Sequence, residues 1–500
     1  MTTMVEQAYE AVIGIECHVE LKTNSKMFCG CRNEFGGEPN RHLCPVCLGL
    51  PGALPVPNRV AIEHVVRAGL ALDAAIPAHS KFDRKNYFYP DMPKDYQISQ
   101  FDMPLVSGGV VRFRRADGSE GSCRLTRIHL EEDTGKSSHM GSRDGRIAGS
   151  TRSLVDFNRA GVPLMEVVAE PDLRTPEDAV AFLEYLRLTF LYLDISDVKM
   201  EEGSLRCDAN VSIRKPGEPF GTKAEIKNMN SFRSVYRALQ YEIERQRRVL
   251  AEGGRIVQET RGWDEVEGVT HSMRSKEQAH DYRYFPDPDL VPLALDAAWV
   301  QELRSTVGFT PIAAYDRLQR DYRLSPAQIR QIVDDPDLAR FLSATIEGGA
   351  AASGEGIAAY AQAVANWLLG DVSRILNERG ISIAGQDRLT PAALGELAEL
   401  SIGGAVTSKT AKELLEHVMS EGGSPKEIVV REGLAQLSDP TAVAAIVDEV
   451  LAANAKSVAD FKAGKENALK ALVGQVMKTS KGKANPQMAE RLLRDRLTGS

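Results

Sequence analysis

The sequence predicts an α+β chain: an antiparallel sheet with helices on one side over residues 1–293, then helices to the C-terminus. Three observations predict it. The first 293 residues are rich in Gly, Pro, Asn, Tyr and Asp and hold short runs in which apolar and polar residues alternate. Two long stretches among them carry helix-capping residues. After DPDLVPL the chain becomes Ala- and Leu-rich and its apolar residues recur with helical period.

The elements follow in order. VIGIECHVEL (12–21), GVVRFRR (109–115), SCRLTRIHLE (122–131) and ANVSIRK (209–215) alternate as half-buried strands do. PEDAVAFLEYLRLTFLYL (176–193) follows Thr175, an N-cap with Pro in the first turn. SFRSVYRALQYEIERQRRVLAEGG (231–254) opens on Ser231 and stops at a Gly pair. Residues 294–405 read as a helical domain, with capping signals in TPIAAYDRL, SPAQIRQIV and TPAALGEL; EGGAAASGEG (347–356) reads as a flexible loop between helices. A smaller helical tail domain is expected over 406–500.

At 500 residues the chain exceeds one core, and its 43% hydrophobic and 26% charged content is ordinary for a soluble protein. No stretch has the length of a membrane span. The start MTTMVEQAYEAVIG lacks a basic segment followed by a long apolar one, so a cytoplasmic chain with reduced cysteines is expected. The net charge of −8 does not point to nucleic acid, but the last forty-five residues carry ten basic and four acidic side chains. That local reversal reads as a polyanion-binding tail, with Lys478, Lys481 and Lys483 clustered in MKTSKGKANP.

Four of the seven cysteines fall within nineteen residues as Cys29-x-Cys31 and Cys44-x-x-Cys47. Two close thiolate pairs joined by a short loop supply the corners of a tetrahedral, saturated Zn²⁺ site, which is structural because no coordination position stays open. A zinc hydrolase needs that open position, so it is the weaker reading. In ECHVE, strand alternation puts Glu16, His18 and Glu20 on one face, where a divalent cation would offset the cost of clustering them. His129, Glu131, Glu132 and Asp133 form a second such cluster. Together they suit Mg²⁺ and phosphoryl transfer. TGKSS is not a phosphate-binding P-loop, because Leu130 stands where its first Gly is required.

The polar, aromatic run KFDRKNYFYPDMPKDYQISQFDMPL (81–105) offers Lys85 and Lys94 to an anionic substrate. Glu201 and Glu202 precede a strand that begins near Asp208, and Glu225 shares a strand face with Lys227. Cys17 and His18 point to opposite faces, so no activated cysteine is expected there, and no trustworthy amide-hydrolysing constellation occurs.

These stretches also carry a resemblance. IGIECHVEL, SKMFCGC, CPVCLGLPGALPVPN, FDRKNYFYPDMPKDYQISQ, HLEEDTGKSSH, SLVDFNRAGVPLMEVVAEPD, MEEGSLRCDANVSIR, EIKNMNSF, DYRYFPDPDL and VGQVMKTSKGKANP resemble the B subunits of aspartyl/glutamyl-tRNA amidotransferases, the GatB/GatE family. The resemblance implies a carbon–nitrogen ligase that uses ATP and Mg²⁺ to phosphorylate the side-chain carboxylate of mischarged Glu-tRNA(Gln) or Asp-tRNA(Asn). Ammonia then displaces phosphate. It comes from glutamine, hydrolysed by the amidase, or A, subunit of the complex, with a small C subunit completing a heterotrimer. The resemblance also implies a catalytic cradle similar to glutamine synthetase and a tRNA-contacting tail. It implies catalytic roles for Glu16, His18, Glu131, Asp208 and Glu225, with His18 and Glu131 as Mg²⁺ ligands. The alternative is a non-catalytic RNA-binding scaffold.

Overall fold

The computed structural model describes residues 9–141, 149–275, 281–349, 356–437, 439–480 and 482–498. The predicted loop at 347–356 falls largely outside these residues, as does Lys481. The chain forms two compact units, 1–313 and 314–500.

The first unit is built on a nine-stranded sheet. In chain order its strands are β1 (Glu10–Glu20), β2 (Val106–Ser107), β3 (Val110–Arg114), β4 (Glu120–Glu132), β5 (Pro163–Ala169), β6 (Leu205–Arg214), β7 (Ala224–Lys227), β8 (Glu259–Asp264) and β9 (Val269–Ser275). Their spatial order is β9-β8-β7-β6-β1-β5-β4-β2, with β3 also pairing on β4. Strand β1 is central, antiparallel to both β5 and β6. The predicted strands are present, with ends shifted by a few residues: the one expected over 109–115 is shorter and the others begin earlier. One pairing departs from the antiparallel expectation: β7 and β8 are parallel. A helix connects them, and such a crossover is what a parallel pair requires.

Alternation along β1 divides the sheet into two faces. Ile13, Ile15, Cys17 and Val19 point into the core, joined there by residues of helices α1 (Arg59–Ala71), α2 (Pro176–Tyr192) and α3 (Phe232–Ala251). The caps act as read: Thr175 accepts from the Asp178 backbone N–H and Ser231 from that of Ser234. Each fully buried Val, Leu, Ile or Phe on this face contributes about 1.5–3 kcal/mol. The other face carries Glu16, His18 and Glu20.

The compositional change at residue 293 precedes the structural division. Helix α4 (Ala297–Ser305) places Leu303 in the first unit's core, so the compact units divide near 313 instead. In the second unit, helices Ser408–Glu421 and Pro425–Glu432 pack on Pro391–Ile402, so residue 406 is not a structural break. A separate small core begins with Pro440–Ala453, where Val443, Val447 and Val450 meet Leu472, Val476 and Leu493. Among the described residues no helix is long and apolar enough to cross a membrane.

Candidate functional site

The open face of the sheet collects charged side chains because neighbouring strands keep the same register. His18 lies opposite Glu166 of β5 and Arg206 of β6, and Glu166 lies opposite His129 of β4. Arg206, His18, Glu166 and His129 therefore form one row across four strands. Glu16 and Asp208 are partners in the next row, and Glu131 stands beyond Leu164 and Glu20 on the other side.

The centre of this face is His18, Glu131 and Glu166, whose ligand atoms lie within 4.8 Å of one another. Glu166 Oε2 is 3.4 Å from His18 Nε2 and 3.2 Å from His129 Nε2. Glu131 Oε2 is 3.7 Å from His129 Nε2 and accepts a hydrogen bond from Ser99 Oγ at 3.0 Å. Two carboxylates and an imidazole at this spacing fit a divalent cation. His18 and Glu131 were legible in the sequence. Glu166 was missed, since its only signal is a lone acid inside the apolar run LMEVVA.

Electrostatics explain how these groups coexist. Burial opposes the charge on His129, but the Glu166 and Glu131 carboxylates outweigh it and raise its pKa to about 9. His18 is likewise raised, against burial, by its contact with Glu166. In return, and against burial, His129 and His18 hold Glu166 well below the ordinary carboxylate range. Glu131 is lowered, despite burial, by Lys85 and then His129. Glu16 is raised by burial, then by Glu166, Asp208 and Glu225. Glu20 is raised to about 8 by burial and by Asp133, which itself pairs with Arg206 at 2.7 Å.

The other expected site residues distribute unevenly. Lys227 pairs with Asp208 and, at 3.2 Å, with Glu225, which also accepts from Thr260 Oγ1 at 2.7 Å. Asn210 donates to Glu16 at 3.0 Å. A cleft of about 540 Å³ beside His18 is lined by Arg206, Asp208, Lys227, Asn228 and Asn230. Lys85 faces this same centre and sits 5.1 Å from the Tyr282 ring. Lys94 differs from the sequence reading. It is buried in an ion pair with Glu132, whose carboxylate also accepts from the Ile98 backbone at 2.9 Å, so its charge is already engaged. Lys478 and Lys483 lie in the second unit, at the end of helix Asn467–Thr479 and just after it.

The four knuckle cysteines also converge: Cys29, Cys31, Cys44 and Cys47 place their sulfurs within 4.8 Å of one another. A tetrahedral Zn²⁺ with Zn–S bonds of about 2.3 Å needs sulfurs roughly 3.8 Å apart, so the donor set and its spacing fit the metal. Cys47 is pulled down to about 5, first by a hydrogen bond with Cys29. The remaining cysteines are buried and shifted the other way: burial raises Cys17 well above its ordinary value and takes Cys123 and Cys207 to about 12. None of these three is a poised nucleophile.

Known proteins resemble this chain in sequence over nearly its whole length. Residues 11–301 match the family model described as the GatB/GatE catalytic domain, and residues 351–497 match that of the GatB domain. The B subunit of the aspartyl/glutamyl-tRNA(Asn/Gln) amidotransferase from Moorella thermoacetica is 52% identical over 492 residues, covering 98% of this chain and 100% of that protein. Its counterpart from Carboxydothermus hydrogenoformans is 49% identical, over 98% of this chain and 99% of that one. That from Acaryochloris marina is 45% identical, over 98% of each.

Two outcomes are expected from this geometry. Cys44→Ser should lower bound zinc from about one per chain and lower the melting temperature, as elemental analysis and calorimetry would read. Unchanged values in both would remove the metal from the knuckle. The second concerns pH. His129 is raised in the folded state, so its contribution is complete below an unfolded value of about 6.5 and is lost as pH rises through about 9. In metal-free protein, stability should fall across that window by up to about 1.4 kcal/mol per pH unit. His129→Gln should flatten the slope; parallel slopes would show that His129 carries no such charge.

Proposed function

The chain belongs to the GatB/GatE family, and from that premise we propose that it converts mischarged Glu-tRNA(Gln), Asp-tRNA(Asn) or both to the amidated forms by ATP-dependent transamidation. The observation that carries the proposal is the convergence of His18, Glu131 and Glu166 on an open sheet face beside a cleft of small-molecule size.

A carboxylate is a poor acyl donor because its leaving group would be oxide. Transfer of the γ-phosphoryl of ATP to a carboxylate oxygen makes an acyl phosphate and ADP. Ammonia then attacks the carbonyl, the C–O bond to phosphate breaks, and the nitrogen loses a proton. His18, Glu131 and Glu166 would hold Mg²⁺, which when bound neutralises charge on the transferring phosphoryl. Glu16, in the row next to His18, is suited to accept the proton, because burial and its acidic neighbours raise its affinity for one. Asp208 and Glu225 hold Lys227 at the cleft wall, where an ammonium can orient an anionic substrate. Lys85 keeps Glu131 ionised.

The ammonia source is external in this reading. The buried, unactivated cysteines Cys17, Cys123 and Cys207 support a chain that receives ammonia rather than hydrolysing glutamine itself. The partners are then the amidase (A) subunit of the complex and a small C subunit, in an assembly that works in the cytoplasm. Zn²⁺ in the four-cysteine knuckle is structural. The basic tail binds tRNA through phosphates, with Lys478 and Lys483 flanking a turn at Gly482, whose φ is +80°.

His18→Ala, Glu131→Ala or Glu166→Ala should each reduce tRNA-dependent ADP formation by at least about a hundredfold (~2.7 kcal/mol), while glutamine hydrolysis by the partner persists in part. Wild-type ADP formation in all three would favour the scaffold reading. Lys478→Ala combined with Lys483→Ala should weaken tRNA binding and reduce its log–log salt slope by about 2. An unchanged slope would make the tail's charge a solvated face.

A further inference from the structure

The zinc knuckle and the Lys94–Glu132 pair share one small cavity, lined by Cys29, Cys47, Gly49, Lys94, Glu132 and Gly161. Two glycines allow this approach. Gly161 has φ +87°, and a Cβ there would stand 3.5 Å from Cys47 Cβ, 3.6 Å from Lys26 Cδ and 3.8 Å from Glu132 Oε2. Gly49 has φ +65°, and a Cβ there would overlap Lys94 Cγ. Both positions lie in the left-handed region, where a side chain is strained; at Gly49 it would also displace Lys94, whereas at Gly161 a Cβ would meet its neighbours at ordinary contact distance.

Lys26 sits at the crossing of these segments. It is 1% exposed, and its ammonium donates to Ala160 O at 2.7 Å and to Phe157 O at 3.3 Å. Its backbone N–H donates to Cys31 O at 2.9 Å, and that of Met27 donates to Gly161 O at 2.7 Å. Gly161 in turn donates to Asp133 O at 2.9 Å, at the end of β4. Lys26 thus bridges the first cysteine pair, through its backbone, and the turn that leads into β5, the strand of Glu166, through its side chain.

Charge gives that placement a purpose. Zinc with four thiolates carries two net negative charges, which are costly to bury uncompensated. The arginines of the knuckle loop are exposed and have other partners: Arg32 meets Glu34 at 3.4 Å and Arg41 meets Glu38 at 2.8 Å. Lys26 is buried beside the cluster, its Cδ and the Cys47 Cβ flanking Gly161, and its ammonium bonds to the neutral Ala160 and Phe157 carbonyls, which leave its charge uncancelled.

We propose that Lys26 is a positioning residue: its ammonium is the buried counter-charge of a zinc–tetrathiolate centre, and through Gly161 and Gly49 the loaded knuckle fixes the Lys94–Glu132 pair. The proposal rests on the zinc reading of the knuckle and not on the phosphoryl-transfer reading of the open face.

The test uses the full chain, wild type and Lys26→Met, loaded with Zn²⁺ or Co²⁺. Removing the counter-charge should shift the thiolate-to-cobalt charge-transfer band and speed zinc transfer to a chromophoric chelator by about tenfold or more; backbone support alone would leave the band in place. A brief pulse of an amine-reactive reagent, read by peptide mass spectrometry, should label Lys94 several-fold more in the chelated wild type than in the zinc-loaded form. Exposed Lys223 serves as the internal reference. The wild-type comparison stands even where Lys26→Met fails to fold. An unmoved band with an unchanged release rate overturns the counter-charge, and Lys94 labelling indifferent to zinc overturns the coupling. A wild-type chain that gives no thiolate–cobalt band overturns the zinc reading and this proposal with it.

Discussion

A row of carboxylates on one face of a sheet has to be neutralised, and the first unit is arranged around that requirement. Glu16, Glu131, Glu166 and Asp208 stand on four adjacent strands, and Glu20 and Asp133 lie at the margin. Leaving any one of them buried and unpaired costs several kcal/mol. Five of these acids have an answer close by: His129 and His18 for Glu166, Lys85 for Glu131, Lys227 for Asp208, Asn210 for Glu16 and Arg206 for Asp133, while Glu20 is raised to about 8 by burial and by Asp133. A one-residue slip of β1 would exchange His18 for Cys17 and bury every acid on the strand in the helical core. The charge pattern and the apolar pattern therefore enforce the same register.

The parts of this site that a strand shows by itself were legible in the sequence. Period-2 alternation placed Glu16 and His18 together, and Glu225 with Lys227, without any knowledge of partners. What depends on strand order was not legible. Glu166 acquires meaning only because β5 inserts between β1 and β4, which brings an isolated acid between two histidines. Lys94 read as a substrate clamp because its neighbours are polar and aromatic. Its partner Glu132 is distant in sequence, and the small strand Tyr96–Ser99, which packs against the end of β4, is what joins them.

Domain limits show the same division between local and distant information. The composition changes at 293 because the chain becomes helical there, yet α4 still buries Leu303 against the first core. Its helix type is written locally, but its allegiance is set by packing. The four cysteines are the opposite case, since their spacing alone predicts the cluster that the structure shows. Their nearness to Lys94 and Glu132 was hidden, because it runs through Gly161, a residue with no side chain to announce it.

The central position of β1 also governs when the protein can fold during its synthesis. This strand leaves the ribosome ahead of its neighbours β5 and β6, which end at Ala169 and Arg214. At about 5–20 residues per second, roughly 200 residues of elongation separate β1 from its last partner by about 10–40 s. Both edges of this eleven-residue strand, with its one wholly apolar side, are unpaired until β5 emerges, and the edge that takes β6 stays open through the whole interval. The nascent chain is thus most exposed to wrong pairing at its centre, and the charged alternate residues that later build the site are what keep β1 soluble while it waits.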